Sequence, residues 1–451
     1  MNLTIDFNKV VGKIKPMHGV GQGPLVGTDT QYFHYLKDAN IPYARLHDVG
    51  GWFGGNMWVD IPNIFRNFEA DENDENSYDF TFTDLYLKGL IDNNVEPYYR
   101  LGVTIENFHE IKAYRIFPPK NYEKWARICE HIIRHYNEGW ANGFHYNIKH
   151  WEIWNEPDNT EIIPKNNMWR GTKEQYFELY AVTSKHLKKC FGDKIKVGGY
   201  ACTGLYIWGL PEEYQNKMKK EATEYYESLK YHVAFFESFI EYVKENNLPL
   251  DFFSHHSYLS VKDTVKMQLA LEKRLEELGL GNIEIHMNEW SVRPSLEAKD
   301  SCNAAHDLAM LCAMQDTKMS VMCFYDARMK VNGYSGLFTE TTMGPLATYF
   351  AFKAFGELYE MGNQSEVMGL GEGVYATAAV SADKKIRGFV ITSIDNDETV
   401  TTNLPKDMAA YLIDENHYMT KVKLNAGKFK LNKNEVIFFT NKEIKQYEEE
   451  C

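Results

Sequence analysis

The stretch His150-Trp-Glu-Ile-Trp-Asn-Glu156 is rich in aromatic side chains and lies between two segments patterned as helices. On its N-terminal side, Asn121–Tyr136 repeats apolar residues at Trp125, Ile128, Ile132 and Ile133, close to the helical period. On its C-terminal side, Lys173–Lys189 behaves in the same way. A short β-type run with a helix on each side is the unit of a parallel sheet. Working outward, seven more such runs predict strands: Met17–Gln22, Tyr43–Asp48, Glu96–Leu101, Lys196–Ala201, Asp251–Ser257, Glu284–Glu289 and Val321–Ala327. Further helix-patterned segments, Tyr231–Glu245, Val265–Leu278 and Asn303–Asp316, fall between them. Eight strands alternating with helices predict a closed (β/α)8 barrel, the TIM barrel of the α/β class. An open doubly wound sheet is the alternative, and it usually carries a glycine-rich phosphate turn after the first strand. Gly19, Gly21 and Gly23 follow that strand here, but Pro24 breaks the spacing, so no nucleotide site is expected.

After about residue 360 the texture changes. Val374–Val380, Ile386–Ser393, Glu398–Asn403, Ala410–Asp414, Tyr418–Leu424, Lys428–Leu431 and Glu435–Thr440 are β-rich and separated by short Asn, Asp, Gly and Lys turns. They predict a small C-terminal antiparallel β-sandwich, joined by an opening strand at Leu3–Phe7. The expected domains are a catalytic barrel over 14–360 and an accessory sandwich built from 1–13 and 361–445.

A formal net charge of -14 over 451 residues disfavours nucleic acid and anionic membranes, whose binding depends on clustered Lys and Arg. The acidic runs Asp71–Glu75 and Glu448–Glu450 read as a solvated loop and a frayed end. No basic stretch leads into an apolar segment at the N-terminus, and no apolar run approaches the roughly 20 residues that span a bilayer. Seven scattered cysteines, none in a CxxC pair, point to free thiols in a reducing compartment. A cytoplasmic enzyme is expected, or one whose signal segment has been removed. No Cys/His/Asp cluster has metal-ligand spacing, and the expectation is no metal and no organic cofactor.

In a barrel of this kind the site lies at the C-terminal strand ends. The fourth predicted strand ends Asn155-Glu156-Pro157 and the seventh ends Asn288-Glu289-Trp290, so each brings a carboxylate to the mouth. Two facing carboxylates are what glycoside cleavage needs. One, with a raised pKa, protonates the leaving oxygen; the other stays ionised and meets the anomeric carbon. With 63 acidic residues some Asn-Glu pairs arise by chance, but two at matching strand ends are hard to reach that way.

His150-Trp-Glu-Ile-Trp-Asn-Glu-Pro-Asp158 resembles the acid/base strand of the large clan of retaining (β/α)8 glycosidases, and Ile285-His-Met-Asn-Glu-Trp290 resembles its nucleophile strand. Within that clan the sequence is most similar to glycoside hydrolase family 39, the β-xylosidase and α-L-iduronidase family. Lys13-Ile-Lys-Pro-Met-His-Gly19, Tyr43-Ala-Arg-Leu-His-Asp48 and Asp251-Phe-Phe-Ser-His-His-Ser-Tyr258 resemble its opening, second and sixth strands. The resemblance implies a retaining exo-glycosidase on an oligosaccharide or glycoside, with Glu156 as acid/base and Glu289 as nucleophile. It implies that Asn155 binds the sugar 2-hydroxyl and His47 another hydroxyl. His256 and Tyr258 would lie near the nucleophile and set its ionisation and direction. Asp48 stands beside His47 at the same strand end and is carried with the binding set. A homo-oligomer is a common assembly in the family.

On the eighth strand the sequence departs from the xylosidase pattern. Phe324-Tyr325-Asp326 stands where a stacking Trp is expected, followed by Arg328. Tyr325 is then the stacking candidate and Asp326 a hydroxyl ligand. Arg328 would either read a uronic carboxylate or brace the loop against Asp326. Trp52 and Phe53, set among four glycines, and Trp290 are further stacking candidates, together with Trp169 and Trp208; Trp154 fits the cleft and the core equally. A xylosidase is the first expectation. The alternatives are arabinosyl, glucosyl, galactosyl or uronosyl specificity, or a non-catalytic carbohydrate-binding barrel.

Overall fold

The computed structural model describes residues 1–25, 30–49, 58–105, 115–292, 299–328, 336–339 and 344–447. The chain opens with strand β1 (Asn2–Lys13) of a peripheral sheet. Among the described residues, eight parallel strands then close a barrel: β2 (Gly19–Gly21), β3 (Tyr43–Leu46), β4 (Glu96–Leu101), β5 (His150–Ile153), β6 (Lys196–Cys202), β7 (Phe252–Ser257), β8 (Glu284–Trp290) and β9 (Met319–Phe324). They pair in chain order, and β9 closes on β2. Each predicted strand overlaps one of these. The eighth stops at Phe324 rather than Ala327, because the Asp326 carboxylate accepts the backbone N–H of Arg328 (2.8 Å) and turns the chain out of the ladder.

The peripheral sheet continues with β10 (Asn363–Met368), β11 (Val374–Val380), β12 (Arg387–Ser393), β13 (Glu398–Thr402), β14 (Ala409–Ile413), β15 (Tyr418–Val422), β16 (Lys428–Leu431) and β17 (Glu435–Thr440). Its order is β15-β14-β17-β12-β11-β10-β1-β13-β16, antiparallel except for the β1–β13 pair. Leu3, Ile5, Phe7, Phe389, Ile391, Val400, Phe429 and Phe439 form its own buried core. The opening strand is longer than Leu3–Phe7. It pairs along both halves with β10, a strand whose sequence, Asn-Gln-Ser-Glu-Val-Met, carries no apolar alternation, and its second half meets the Asn-Gln-Ser part. That part of the ribbon is held by backbone pairing with half-exposed side chains, so the hydrophobic pattern does not reveal it. No described helix is long and apolar enough to cross a membrane.

Inside the barrel, Tyr98, Phe252, Val321 and Cys323, with Tyr43 beside them, form an apolar layer. Above it lies a buried charged layer. Arg45 of β3 donates through Nε (2.9 Å) and Nη2 (2.7 Å) to Glu152 Oε2 of β5. The other oxygen of Glu152 accepts Ser254 Oγ of β7 (2.6 Å) and Asn288 Nδ2 of β8. Neither member of the ion pair reaches solvent. Such a pair is costly to desolvate, and breaking it leaves a charge with nothing to balance it. Glu152→Ala is therefore expected to lower stability by about 3–5 kcal/mol, read as an earlier urea midpoint. An Arg45→Met/Glu152→Leu double substitution should recover most of that loss.

Candidate active site

Glu289 reaches the barrel mouth through an irregularity in β8. The parallel register runs His255 to Met287 and then His256 to Glu289, so Asn288 is an extra residue on that strand. A bulge of this kind breaks the alternation of faces. Asn288 and Glu289 therefore both point inward, one to Glu152 and the other to the mouth, while Trp290 points outward.

Glu156 reaches the same mouth from β5 through a backbone of positive φ at Trp154 (75°) and Glu156 (43°). Non-glycine residues in that region are strained, and such strain collects at functional sites. The turn is tied down by the Glu156 N–H donating to Ala201 O (3.0 Å) and by Asn159 Nδ2 donating to Glu156 Oε2 (3.1 Å).

His256, fully buried on β7, sits between the two carboxyls. Its Nδ1 is 2.7 Å from Glu156 Oε1, and its Nε2 is 3.8 Å from Glu289 Oε2. One oxygen of each carboxyl and a ring nitrogen of His256 all lie within 4.8 Å of one another. The imidazole thus makes its hydrogen bond to Glu156 while lying beside Glu289, where the family resemblance put it. Tyr258 does meet Glu289: its hydroxyl donates to Oε1 (2.5 Å). Arg45 Nη1 donates to Glu289 Oε2 (3.2 Å) and Nη2 to Asn155 Oδ1 (2.5 Å).

These surroundings separate the two carboxyls. Burial, helped by the charge of Asp158, pushes Glu156 up to about 7, against the pull of Asn159, His232 and Arg45. Burial also raises Glu289, but His256, Arg45 and the Tyr258 hydroxyl all oppose the rise. Glu289 receives two strong donors from Tyr258 and Arg45; Glu156 meets the His256 imidazole and the weaker Asn159 amide. Near neutral pH the shared proton belongs on Glu156, which leaves Glu289 ionised. Burial lowers His256, against the charge of Glu289.

A second cluster adjoins. His47 Nε2 lies 3.3 Å from Asp48 Oδ1, and the Tyr325 hydroxyl donates to Asp48 Oδ2 (2.8 Å). Burial first, then the charges of Arg100 and Arg45, drive His47 far toward its neutral form. Arg328 is gripped by Asp326, with Nε at 3.0 Å and Nη2 at 2.7 Å from Oδ2. The Asp326–Arg328 pair braces the loop.

The tryptophans divide differently from the sequence expectation. The Trp290 indole is fully buried, edge-on to Phe324 and parallel to Phe352, so it packs the barrel wall against a helix and lines no cleft. Strict alternation would put Trp154 on the face of Glu156. The positive φ at Trp154 turns it outward instead, onto Trp125 and Trp169. Trp169 is buried with it, and Trp208 packs edge-on to Phe236. Trp52 and Phe53 lie outside the described residues.

Sequence reasoning missed Arg45, Glu152, Ser254 and Asn288, which support the two carboxyls. The signal was a single charge inside an otherwise apolar strand, as in Tyr43-Ala-Arg45-Leu and Trp151-Glu152-Ile, since a charge there demands a partner. It also missed Tyr206, in the turn Tyr206–Trp208 after β6, whose phenol is raised by burial and by the charges of Glu156 and Glu289.

Comparison with known proteins gives the family and the fold. Residues 2–284 match Glycosyl hydrolases family 39. A β-xylosidase of Caldicellulosiruptor saccharolyticus is 26% identical over 327 residues, covering 65% of this chain and 56% of that protein. A β-xylosidase of Geobacillus stearothermophilus is 25% identical over 254 residues, covering 53% of this chain and 42% of that protein. The chain thus spans about half the length of the curated relatives it matches. Among solved structures, a glucosidase from Croceicoccus marinus superposes with a TM-score of 0.76 at 19% identity, over 97% of this chain and 98% of that one. A monomeric β-xylosidase from Caulobacter crescentus superposes with a TM-score of 0.67 at 14% identity, over 97% and 99%. These two likenesses concern the fold. With the family match covering more than half of its length, the chain belongs to glycosyl hydrolase family 39.

Proposed function

We propose that the protein is a retaining exo-glycosidase of the β-xylosidase type that removes terminal sugars from short oligosaccharides. The observation that carries this reading is the pair Glu156 and Glu289, with oxygens within 4.8 Å and unequal surroundings. Retaining enzymes hold their carboxyls about 5–5.5 Å apart, whereas inverting ones need about 6.5–9.5 Å to admit a water. The spacing supports double displacement. Glu289, ionised, attacks the anomeric carbon while Glu156 gives its proton to the leaving oxygen. Glu156 then takes a proton from the incoming water, and the configuration is retained. Asn155, fixed by Arg45, is set to hold the 2-hydroxyl, and the His47–Asp48–Tyr325 cluster to hold hydroxyls further round the ring.

A neutral terminal sugar is favoured over a uronosyl one, because Asp326 already occupies the Arg328 guanidinium. Xylose comes first, since the Caldicellulosiruptor saccharolyticus and Geobacillus stearothermophilus relatives are β-xylosidases. Glucose comes second, on the structural likeness to a glucosidase.

A panel of nitrophenyl glycosides tests this reading. Turnover is expected on the β-xyloside, and Glu289→Ala should lower kcat/KM by at least about a thousandfold. Undiminished turnover in that variant would remove Glu289 from its role. The general acid must carry its proton, so kcat/KM should decline as pH rises through about 7, the value to which Glu156 is pushed. In Glu156→Gln that alkaline limb should disappear along with most of the activity.

A further inference from the structure

At the opposite end of the barrel, where the strands begin, His150 of β5 faces Glu284 and His286 of β8. Glu284 and His286 are two apart on one strand and so share a face. The three residues each offer a donor atom, and these atoms lie within 4.8 Å of one another. Glu284 Oε2 and His286 Nε2 are already 3.3 Å apart. That is the spacing of two donors on a tetrahedral zinc with bonds of about 2.0–2.1 Å. His286 Nδ1 meets the Tyr98 hydroxyl (3.1 Å), the kind of outer contact that orients a ligating imidazole. Lys196 holds the other Glu284 oxygen (2.6 Å), which leaves Oε2 turned to the histidine.

Two further observations point to a ligand. His150 is 3% exposed, yet neither of its ring nitrogens has a hydrogen-bond partner among the described residues. A buried imidazole with both nitrogens unsatisfied is costly. A second carboxylate, Glu96 of β4, stands 3.8 Å from His150 Nδ1. Glu96 and Glu284 are each about one-third exposed, so the carboxylate side of the cluster meets solvent at this end.

We propose that His150, His286 and Glu284, with Glu96 as a further oxygen donor, form a structural site for a divalent cation of the zinc class that ties β5 to β8 across the barrel floor. Two imidazoles with carboxylates suit zinc better than calcium or magnesium, which prefer all-oxygen sites. His150 and Glu284 are 134 residues apart in the chain, which is why sequence spacing shows no metal motif. Lys196 is the built-in competitor, since its ammonium already neutralises Glu284.

The test is titration of chelator-treated protein with Zn2+, reading bound metal by mass spectrometry and the thermal midpoint by calorimetry. The intact protein should bind one zinc per chain and melt a few degrees higher with it. His150→Gln and the rim substitution Glu284→Gln should each weaken binding at least ~10-fold, with circular dichroism showing that both remain folded. Because Glu156, His256 and Glu289 also converge, Glu156→Gln is run alongside and should bind zinc as the parent does. Three results would overturn the proposal: no zinc retained at micromolar concentration, binding unchanged in both floor variants, or binding lost in Glu156→Gln.

Discussion

Everything at the mouth of this barrel depends on one buried guanidinium. Arg45 is held by Glu152 below it and touches both Asn155 and Glu289 above. Two carboxyls placed as close as Glu156 and Glu289 would otherwise tend to share a proton symmetrically. A fixed positive charge beside one of them breaks the symmetry and assigns the ionised form to Glu289. The cost of burying Arg45 is offset by Glu152, whose second oxygen is satisfied by Ser254 and Asn288. Strands β3, β5, β7 and β8 each contribute to this arrangement, so the ionisation of the site is built into barrel closure itself.

Two backbone irregularities convert this regular scaffold into a site. The extra residue at Asn288 lets neighbouring side chains serve the charged layer and the mouth together. The positive φ at Trp154 and Glu156 sends Trp154 into the helical shell and Glu156 over the cleft. In a strictly alternating strand neither outcome is available. His256, with a nitrogen turned toward each carboxyl, joins the two halves.

Much of this was legible in the sequence. The eight β-type runs carried the barrel, because hydrophobic period and helix spacing are local properties. Asn155-Glu156 and Asn288-Glu289 marked the two carboxyls because they end strands. What could not be read has a physical cause in each case. Alternation gives Trp154 the face of Glu156 and so left it between cleft and core; it fails there because a positive φ resets the faces. β10 hid because its strand is stabilised by backbone pairing with β1, about 350 residues away, rather than by its own side chains. Arg45 and Glu152 were visible as charges inside apolar strands, but only the closed barrel shows that they face each other.

The central claim is that Glu289 is the group that bonds to the sugar while Glu156 handles the proton. Trapping tests it most directly. The protein is incubated with an activated 2-deoxy-2-fluoro-β-xyloside, whose fluorine slows release of any covalent intermediate, and is then digested and its peptides sequenced by mass spectrometry. The account predicts one fluoroxylosyl group per chain, esterified to Glu289, with Glu156 unmodified. Label on Glu156, or rapid cleavage of the reagent with no label on any carboxylate, would contradict it.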